Sequence, residues 1–200
     1  MARTTQAPRA RLSDRQAETV RRLAEAAVAE VAEHRYEGLT VRGVARRAGV
    51  APATAYTYFA SKDHLLAEVF WRRLRDLPPP APLPHGGSPA ERAAEALRGV
   101  ALLVADDPAL SSACTAAMLA DEPNVRRLRA RIGLRVHERI AEATDASPAA
   151  LQTFELAFYG ALVQAGMGHL SYDDLPALLA TTAATVFPPA PHGTTPENTP

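Results

Sequence analysis

The sequence predicts an all-α protein, a three-helix N-terminal unit followed by a larger helical bundle. Three observations point there. Apolar residues recur at helical spacing in one segment after another. Ser, Thr or Pro stands where most of those segments open, as helix starts require. No stretch shows the sustained apolar–polar alternation of a half-buried strand.

Residues 1–12 are polar and basic, contain Pro8, and read as a flexible arm. The first helix is expected over 13–34, with Ala17, Val20, Leu23, Ala24, Ala27, Val28 and Val31 on one face. Ser13 is its expected N-cap, Gln16 completes a capping box, and Tyr36 and Gly38 close the segment. Thr40 caps a helix over 41–48, in which Val41, Val44, Ala45 and Ala48 share a face. Gly49 ends it, because a left-handed backbone there has no steric cost. Val50 plugs the turn. Pro52 opens a helix over 52–58, at a position whose missing amide would have no partner. Two short helices around a glycine turn form a helix-turn-helix, and the second is shaped to enter a DNA major groove.

Ser61 caps a fourth helix reaching about 77, with Leu65, Leu66, Val69, Phe70, Leu74 and Leu77 as apolar points. Residues 77–89, LPPPAPLPHGGSP, cannot be helix and read as a stiff connector ending in flexible glycines. Five more helices are expected at about 89–105, 108–120, 123–144, 148–168 and 173–186. In the 123–144 helix, arginines at 126, 127, 129, 131, 135 and 139 alternate with Val125, Leu128, Ile132, Val136 and Ile140, so the arginines read as a solvated face. Residues 188–200 are expected to be a disordered tail.

Net charge is zero, with 22 basic and 22 acidic residues, but the two signs are segregated. Residues 1–76 hold 14 of the basic and 9 of the acidic ones, which suits a protein that offers one end to DNA. No apolar run reaches the ~18 residues that cross a bilayer. The N-terminus has no apolar core of a secretory signal, and Cys114 is the single cysteine, so a cytoplasmic protein without an intrachain disulfide is expected.

The run Leu39-Thr40, Val44-Ala45, Ala48-Gly49-Val50, Thr54, Tyr56, Tyr58-Phe59, Ser61-Lys62 and Leu65-Leu66 resembles the TetR family of bacterial transcriptional regulators over roughly 13–70. Ala55 departs from the large aliphatic residue usual there. The resemblance implies a DNA-binding domain over 13–60 and a ligand-binding and dimerising helical domain over 61–187, with the connector inside it. It places Ala53 and Thr54 at base edges, Tyr56, Tyr58 and Lys62 on phosphates, and Thr40 and Arg42 at the backbone or groove edge. Thr57 lies on the same recognition helix. Arg3, Arg9 and Arg11 are candidates for a minor-groove arm.

The 148–168 helix is apolar on all sides: Phe154, Phe158, Ala161 and Ala165 fall on one, Leu156, Tyr159, Gly160, Val163 and Met167 on others. A helix of that kind must be covered all round. The family dimerises through its last two helices, so Leu156, Gly160, Ala161, Val163, Met167, Leu175, Leu178, Leu179 and Thr182 are the expected interface. Its ligand pocket lies between the middle helices, which implies Phe70, Trp71, Leu74, Cys114, Thr115, Met118, Phe154, Phe158, Tyr159 and Gln164 as lining. Few charges accompany them, so the expected effector is a small lipophilic or aromatic molecule.

No enzyme, cofactor or metal is expected. His137-Glu138 begins like a zinc-protease helix, but Ala141 stands where the second histidine would be. The expected function is a ligand-released homodimeric repressor on a palindromic operator. Two alternatives are an architectural DNA binder with no ligand and a helical ligand-binding or enzymatic protein whose helix-turn-helix is vestigial.

Overall fold

The computed structural model describes residues 8–188, with side chains from Asp14 onward; every regular element among them is helical. These are α1 (Pro8–Gly38), α2 (Val41–Arg47), α3 (Pro52–Tyr58), α4 (Lys62–Arg75), α5 (Pro89–Ala101), α6 (Pro108–Leu119), α7 (Pro123–Ala143), α8 (Pro148–Gly166) and α9 (Leu175–Val186). Single 3-10 turns stand at Pro84–Gly86 and Tyr172–Asp174.

The helix starts have a common chemistry. Pro8, Pro52, Pro89, Pro108, Pro123 and Pro148 each take the first helical position, where no amide is needed. Side-chain caps satisfy the free amides that follow. The Thr40 hydroxyl accepts from the Gly43 amide at 3.0 Å, and the Ser61 hydroxyl from the His64 amide at 3.0 Å. Ser88 and Glu91 form a reciprocal capping box, while Asp107, Glu122 and Ser147 cap α6, α7 and α8.

Three boundaries differ from expectation. α1 begins at Pro8, so Ser13 lies within the helix rather than at its cap, and Arg9 and Arg11 belong to helical backbone. Ala, Arg and Leu are strong helix formers, and a leading proline does not oppose them. Arg3 and residues 189–200 lie outside the described residues. α1 also breaks at Arg35 (φ 57, ψ −178), a backbone conformation that side chains rarely adopt. α5 stops at Ala101 instead of 105, since Asp107 is held extended by the proline after it.

One contiguous apolar core runs from Leu23, Val44 and Phe59 through Leu65, Val69 and Phe70 to Leu97, Val136, Phe154 and Leu179. α4 packs on α1, α6 and α7, and α5 packs between α7 and α9. The connector is fastened down: Arg139 Nη2 donates to the Pro78 carbonyl at 3.1 Å, and Gly99 leaves room for Leu77, whose Cδ2 would lie 3.2 Å from a Cβ there.

The arginines of α7 do not form one solvated face. Arg126, Arg127 and Arg131 are exposed, Arg129 and Arg135 are half-buried, and Arg139 is buried with Nε on the Ala96 carbonyl at 3.1 Å. Burial lowers the Arg139 pKa. No helix is long and apolar enough to cross a membrane among the described residues.

Phe154 is fully buried and meets Phe187 edge-on with ring centroids 5.3 Å apart. Phe154→Ala is therefore expected to lower unfolding free energy by about 3–5 kcal/mol. A chemical-denaturation loss below about 1 kcal/mol would contradict this packing.

Candidate nucleic-acid interface and internal cavity

The helix-turn-helix is built by local chemistry and then fixed by α1. Gly49 carries φ 62 in the turn. The Arg22 guanidinium donates to the carbonyls of Ala48 and Gly49, satisfying the free end of α2. Arg47 pairs with Glu33 and with Glu30, the latter through Nε at 2.6 Å, which ties α2 to α1 a second time. Glu30 is buried, so this pair is an internal strut rather than a surface decoration.

On α3, Ala53, Thr54, Tyr56 and Thr57 point outward, with Tyr56 52% exposed. Thr40 and Arg42 are also exposed at the start of α2. These six share the outer surface of the motif. Tyr58 is half-buried and packs on the core, while Ala55 is fully buried.

Lys62 is more committed than the sequence suggests. Its ammonium donates to the Tyr36 carbonyl at 2.7 Å and lies 3.9 Å from the centre of the Tyr36 ring. The Tyr36 hydroxyl donates to Asp63 Oδ1 at 2.8 Å, and burial together with this carboxylate pushes the phenol up to about 12. The two bonds clamp the end of α1, just after the Arg35 break, to the first turn of α4. His64 packs edge-on against Phe59 at 5.4 Å, and burial lowers its pKa.

Between α4, α5, α6, α7 and α8 lies a cavity of about 400 Å³. Phe70 of α4, Val100 of α5, and Cys114, Thr115 and Met118 of α6 form one side. Ile132, Gly133 and Val136 of α7 with Phe158, Tyr159 and Leu162 of α8 form the other. The polar groups are few. Thr115 and Tyr172 hydrogen-bond each other at 3.1 Å, and the Ser111 hydroxyl is spent on the Val104 carbonyl. Burial pushes the Cys114 thiol and the Tyr159 phenol each up to about 12.

Of the residues expected to line a pocket, Phe70, Cys114, Thr115, Met118, Phe158 and Tyr159 do. Trp71, Leu74, Phe154 and Gln164 do not. Trp71 sits on the small Ala67–Val125–Leu128 cluster under the Arg131 guanidinium, 4.4 Å from the ring centre. Leu74 and Phe154 are fully buried in the general core, and Gln164 faces solvent. Arg129, Ile132, Gly133 and Val136 were not anticipated as lining. Their spacing of three, four and seven is the signal, hidden because arginine interrupts an apolar stripe.

The residues expected between subunits also divide. Leu156 (66% exposed), Gly160, Met167 (54% exposed) and Leu178 are exposed, with Thr182 half-buried. Ala161, Leu175 and Leu179 are buried within the protomer, and Val163 lines the cavity. A Cβ at Gly160 would meet nothing within 4 Å. Ala161 faces inward because it continues the Phe154–Phe158 side of α8, one turn further on. Among the described residues no cluster of His, Cys, Asp or Glu is placed to hold a metal.

Comparison with known proteins places this geometry. A family model described as "Bacterial regulatory proteins, tetR family" matches residues 23–69. An HTH-type transcriptional regulator of Mycobacterium bovis is 46% identical over 169 residues, spanning 80% of this chain and 76% of its own. The HTH-type transcriptional repressor KstR of Rhodococcus jostii is 31% identical over 137 residues, 68% of this chain and 65% of its own. Among solved structures, a TetR transcriptional regulator from Rhodococcus sp. RHA1 superposes with a TM-score of 0.72 at 20% identity, covering 87% of this chain and 98% of that one. FadR from Bacillus subtilis, solved with stearoyl-CoA, gives 0.56 at 19% identity, covering 84% and 97%.

Gly49 combines a positive φ with a close neighbour, since a Cβ there would stand 3.0 Å from Arg22 Nη2. Gly49→Ala is expected to cost about 1–2 kcal/mol through the left-handed backbone alone. The urea midpoint of the variant measures this; an unchanged midpoint would show that the turn relaxes freely.

Proposed function

From the membership of this chain in the TetR family of bacterial transcriptional regulators, we propose that it is a ligand-released repressor, acting as a homodimer on a palindromic operator. Residues 13–60 read DNA in this proposal, and 61–187 bind the effector and the second subunit. The observation that carries it is the double placement of α4. Its first turn is clamped to α1 and follows the recognition helix after three residues, while Phe70, farther along the same helix, forms part of the cavity wall.

In the DNA-bound state two recognition helices stand about 34–36 Å apart, one turn of the duplex. Ala53 and Thr54 then face base edges, Thr54 offering a hydroxyl and a methyl group. Tyr56, with Thr40, Arg42 and Thr57 around it, meets the sugar–phosphate backbone. Lys62 has given one donor to Tyr36 and keeps two for a phosphate. An apolar molecule entering the cavity presses on Phe70 and displaces α4, which alters the separation of the recognition helices. It acts only in proportion to its preference for that displaced state. A lining that is almost wholly apolar supports a small, largely apolar effector. A relative named as a repressor supports repression rather than activation. The cavity itself weighs against an architectural binder, whose bundle would be filled.

The exposed stripe Leu156–Gly160–Met167 on α8, beside Leu178 on α9, is the proposed dimer face. A patch of this kind is rarely left open to water. The buried Ala161, Leu175 and Leu179 support it from beneath rather than touching the partner.

Two measurements test the proposal. Tyr56→Phe is expected to weaken binding to an operator selected from random DNA by about 1–2 kcal/mol per subunit, without altering the dependence on salt. Lys62→Gln is expected to lower the slope of log K against log salt by about 0.9 per subunit. If both variants bind as the parent does, the recognition surface lies elsewhere. Gly160→Glu, which meets open space in the protomer, is expected to give a folded monomer in sedimentation with much reduced operator affinity. A dimer that survives this charge would move the interface off α8.

A further inference from the structure

Among the described residues that line the cavity, Arg129 alone carries a charge. α7 presents Arg129, Ile132, Gly133 and Val136 to it, a single stripe that runs from the end of α6 into the interior. At one end, Leu119 is both part of the wall and 63% exposed, so the cavity opens to solvent beside Arg129. At the other end the lining is Val100, Val104 and Val136, with the Ser111 hydroxyl turned onto the Val104 carbonyl. The cavity therefore has a charged mouth and a hydrocarbon floor.

Arg129 has donors to spare. Its Nη1 reaches the carbonyls of Met118 at 2.6 Å and Ala120 at 3.3 Å, and it makes no ion pair among the described residues. The acidic groups next to it in the chain, Asp121 and Glu122, are already occupied, and so are Glu138 and Glu155 farther along the α7–α8 side. Asp121 pairs with Arg126, Glu122 accepts the amides of Asn124 and Val125 at 3.0 and 3.1 Å, Glu138 takes Arg135 at 3.3 Å, and Glu155 takes His137 at 2.6 Å. A half-buried guanidinium with neither a carboxylate nor full hydration is an incomplete pair. One helical turn inward, the Tyr159 hydroxyl is buried with no hydrogen-bond partner among the described residues, 3.6 Å from where a Cβ on Gly133 would be. Burial keeps that phenol protonated, so it has a hydrogen to donate. Both groups can donate to one acceptor, and only the outer one carries charge.

We infer that the effector is a single-chain amphiphilic acid, its hydrocarbon tail against Val100, Val104 and Val136 and its carboxylate on Arg129 at the mouth. The Tyr159 hydroxyl, one turn deeper, is the second donor to the head. This narrows the effector from a small, largely apolar molecule to one with a hydrocarbon tail and an anionic head, and it rests on reading the cavity as the effector site. The carboxylate takes a charge-assisted pair with the planar guanidinium, which an alcohol or an ester cannot form with equal strength.

The test uses full-length protein and three probes: dodecanoate below its micelle concentration, and dodecan-1-ol and methyl dodecanoate below their solubility limits. Calorimetric titration is expected to show dodecanoate binding about tenfold or more tightly than either neutral probe. That preference should vanish in Arg129→Gln and persist in Arg129→Lys, which separates the charge from the carbonyl contacts. Tyr159→Phe should leave the melting temperature of the free protein unchanged or higher, because it removes a buried unpaired hydroxyl, yet weaken dodecanoate. If the neutral probes bind as tightly as the acid and still release operator, the acid assignment is wrong while the cavity remains the effector site. If the acid preference survives in Arg129→Gln, Arg129 is not the anchor. If none of the three binds, the inference falls together with the cavity reading beneath it.

Discussion

The burial of α4 along its whole length constrains everything else in this molecule. Leu65, Leu66, Ala67, Val69, Phe70 and Leu74 are all withdrawn from water, and they face three different partners. Its first turns belong to the core under the helix-turn-helix, and its later turns to the core of the bundle. Such packing is close to crystalline in density, so α4 moves as a rigid unit or not at all. The strut from Lys62 to Tyr36 adds a polar lock at the one place where α1 is broken. α4 therefore joins the wall of the cavity to the helix-turn-helix through packed side chains.

A second constraint is the use of arginine as a backbone staple. Arg22 reaches the end of α2, Arg73 the Leu103 carbonyl at 2.8 Å, and Arg92 the Ala143 and Gly87 carbonyls at 2.6 and 2.9 Å. Arg129 and Arg139 do the same around α6 and the connector. Free carbonyls at helix ends and in loops need donors, and a guanidinium carries five in a planar fork. This explains how a chain with a long proline connector and many short helix junctions holds a single core. It also means that charge counts overstate what is available to DNA, since several of these cations face inward. Arg139 is the extreme case: two of its nitrogens are paired and Nη1 is buried unpaired, held by packing around the connector.

Much of the fold was legible in the sequence because its signals are local. Proline, serine and threonine at helix starts act within one turn, and the glycine at 49 specifies a backbone conformation by itself. For that reason α2, α3, α4, α7 and α9 fall within a residue or two of expectation. The misplaced boundaries are those without a strong local signal. Nothing in 8–12 forbids helix, so α1 extends through it, and the early stop of α5 is set by an extended Asp107 several residues further on.

The division of α8 was not legible, and the reason is physical. An all-round apolar helix says that every side must be covered, but composition does not say by what. Phe154 and Phe158 lie on the same side, yet only Phe158 reaches the cavity, because Phe187 closes over Phe154. Ala161 and Gly160 are neighbours in sequence, yet one is buried and the other exposed. Arg129 was read as a solvated cation, and only the approach of α6 turns it into the rim of a cavity. The sequence by itself determined where most of the helices begin and end, which residues are too apolar for water, and the outward chemistry of the recognition helix. Which apolar residues meet one another, which leave a void, and which charges lose their water were decided by tertiary packing, since those are properties of two surfaces in contact and neither surface encodes them alone.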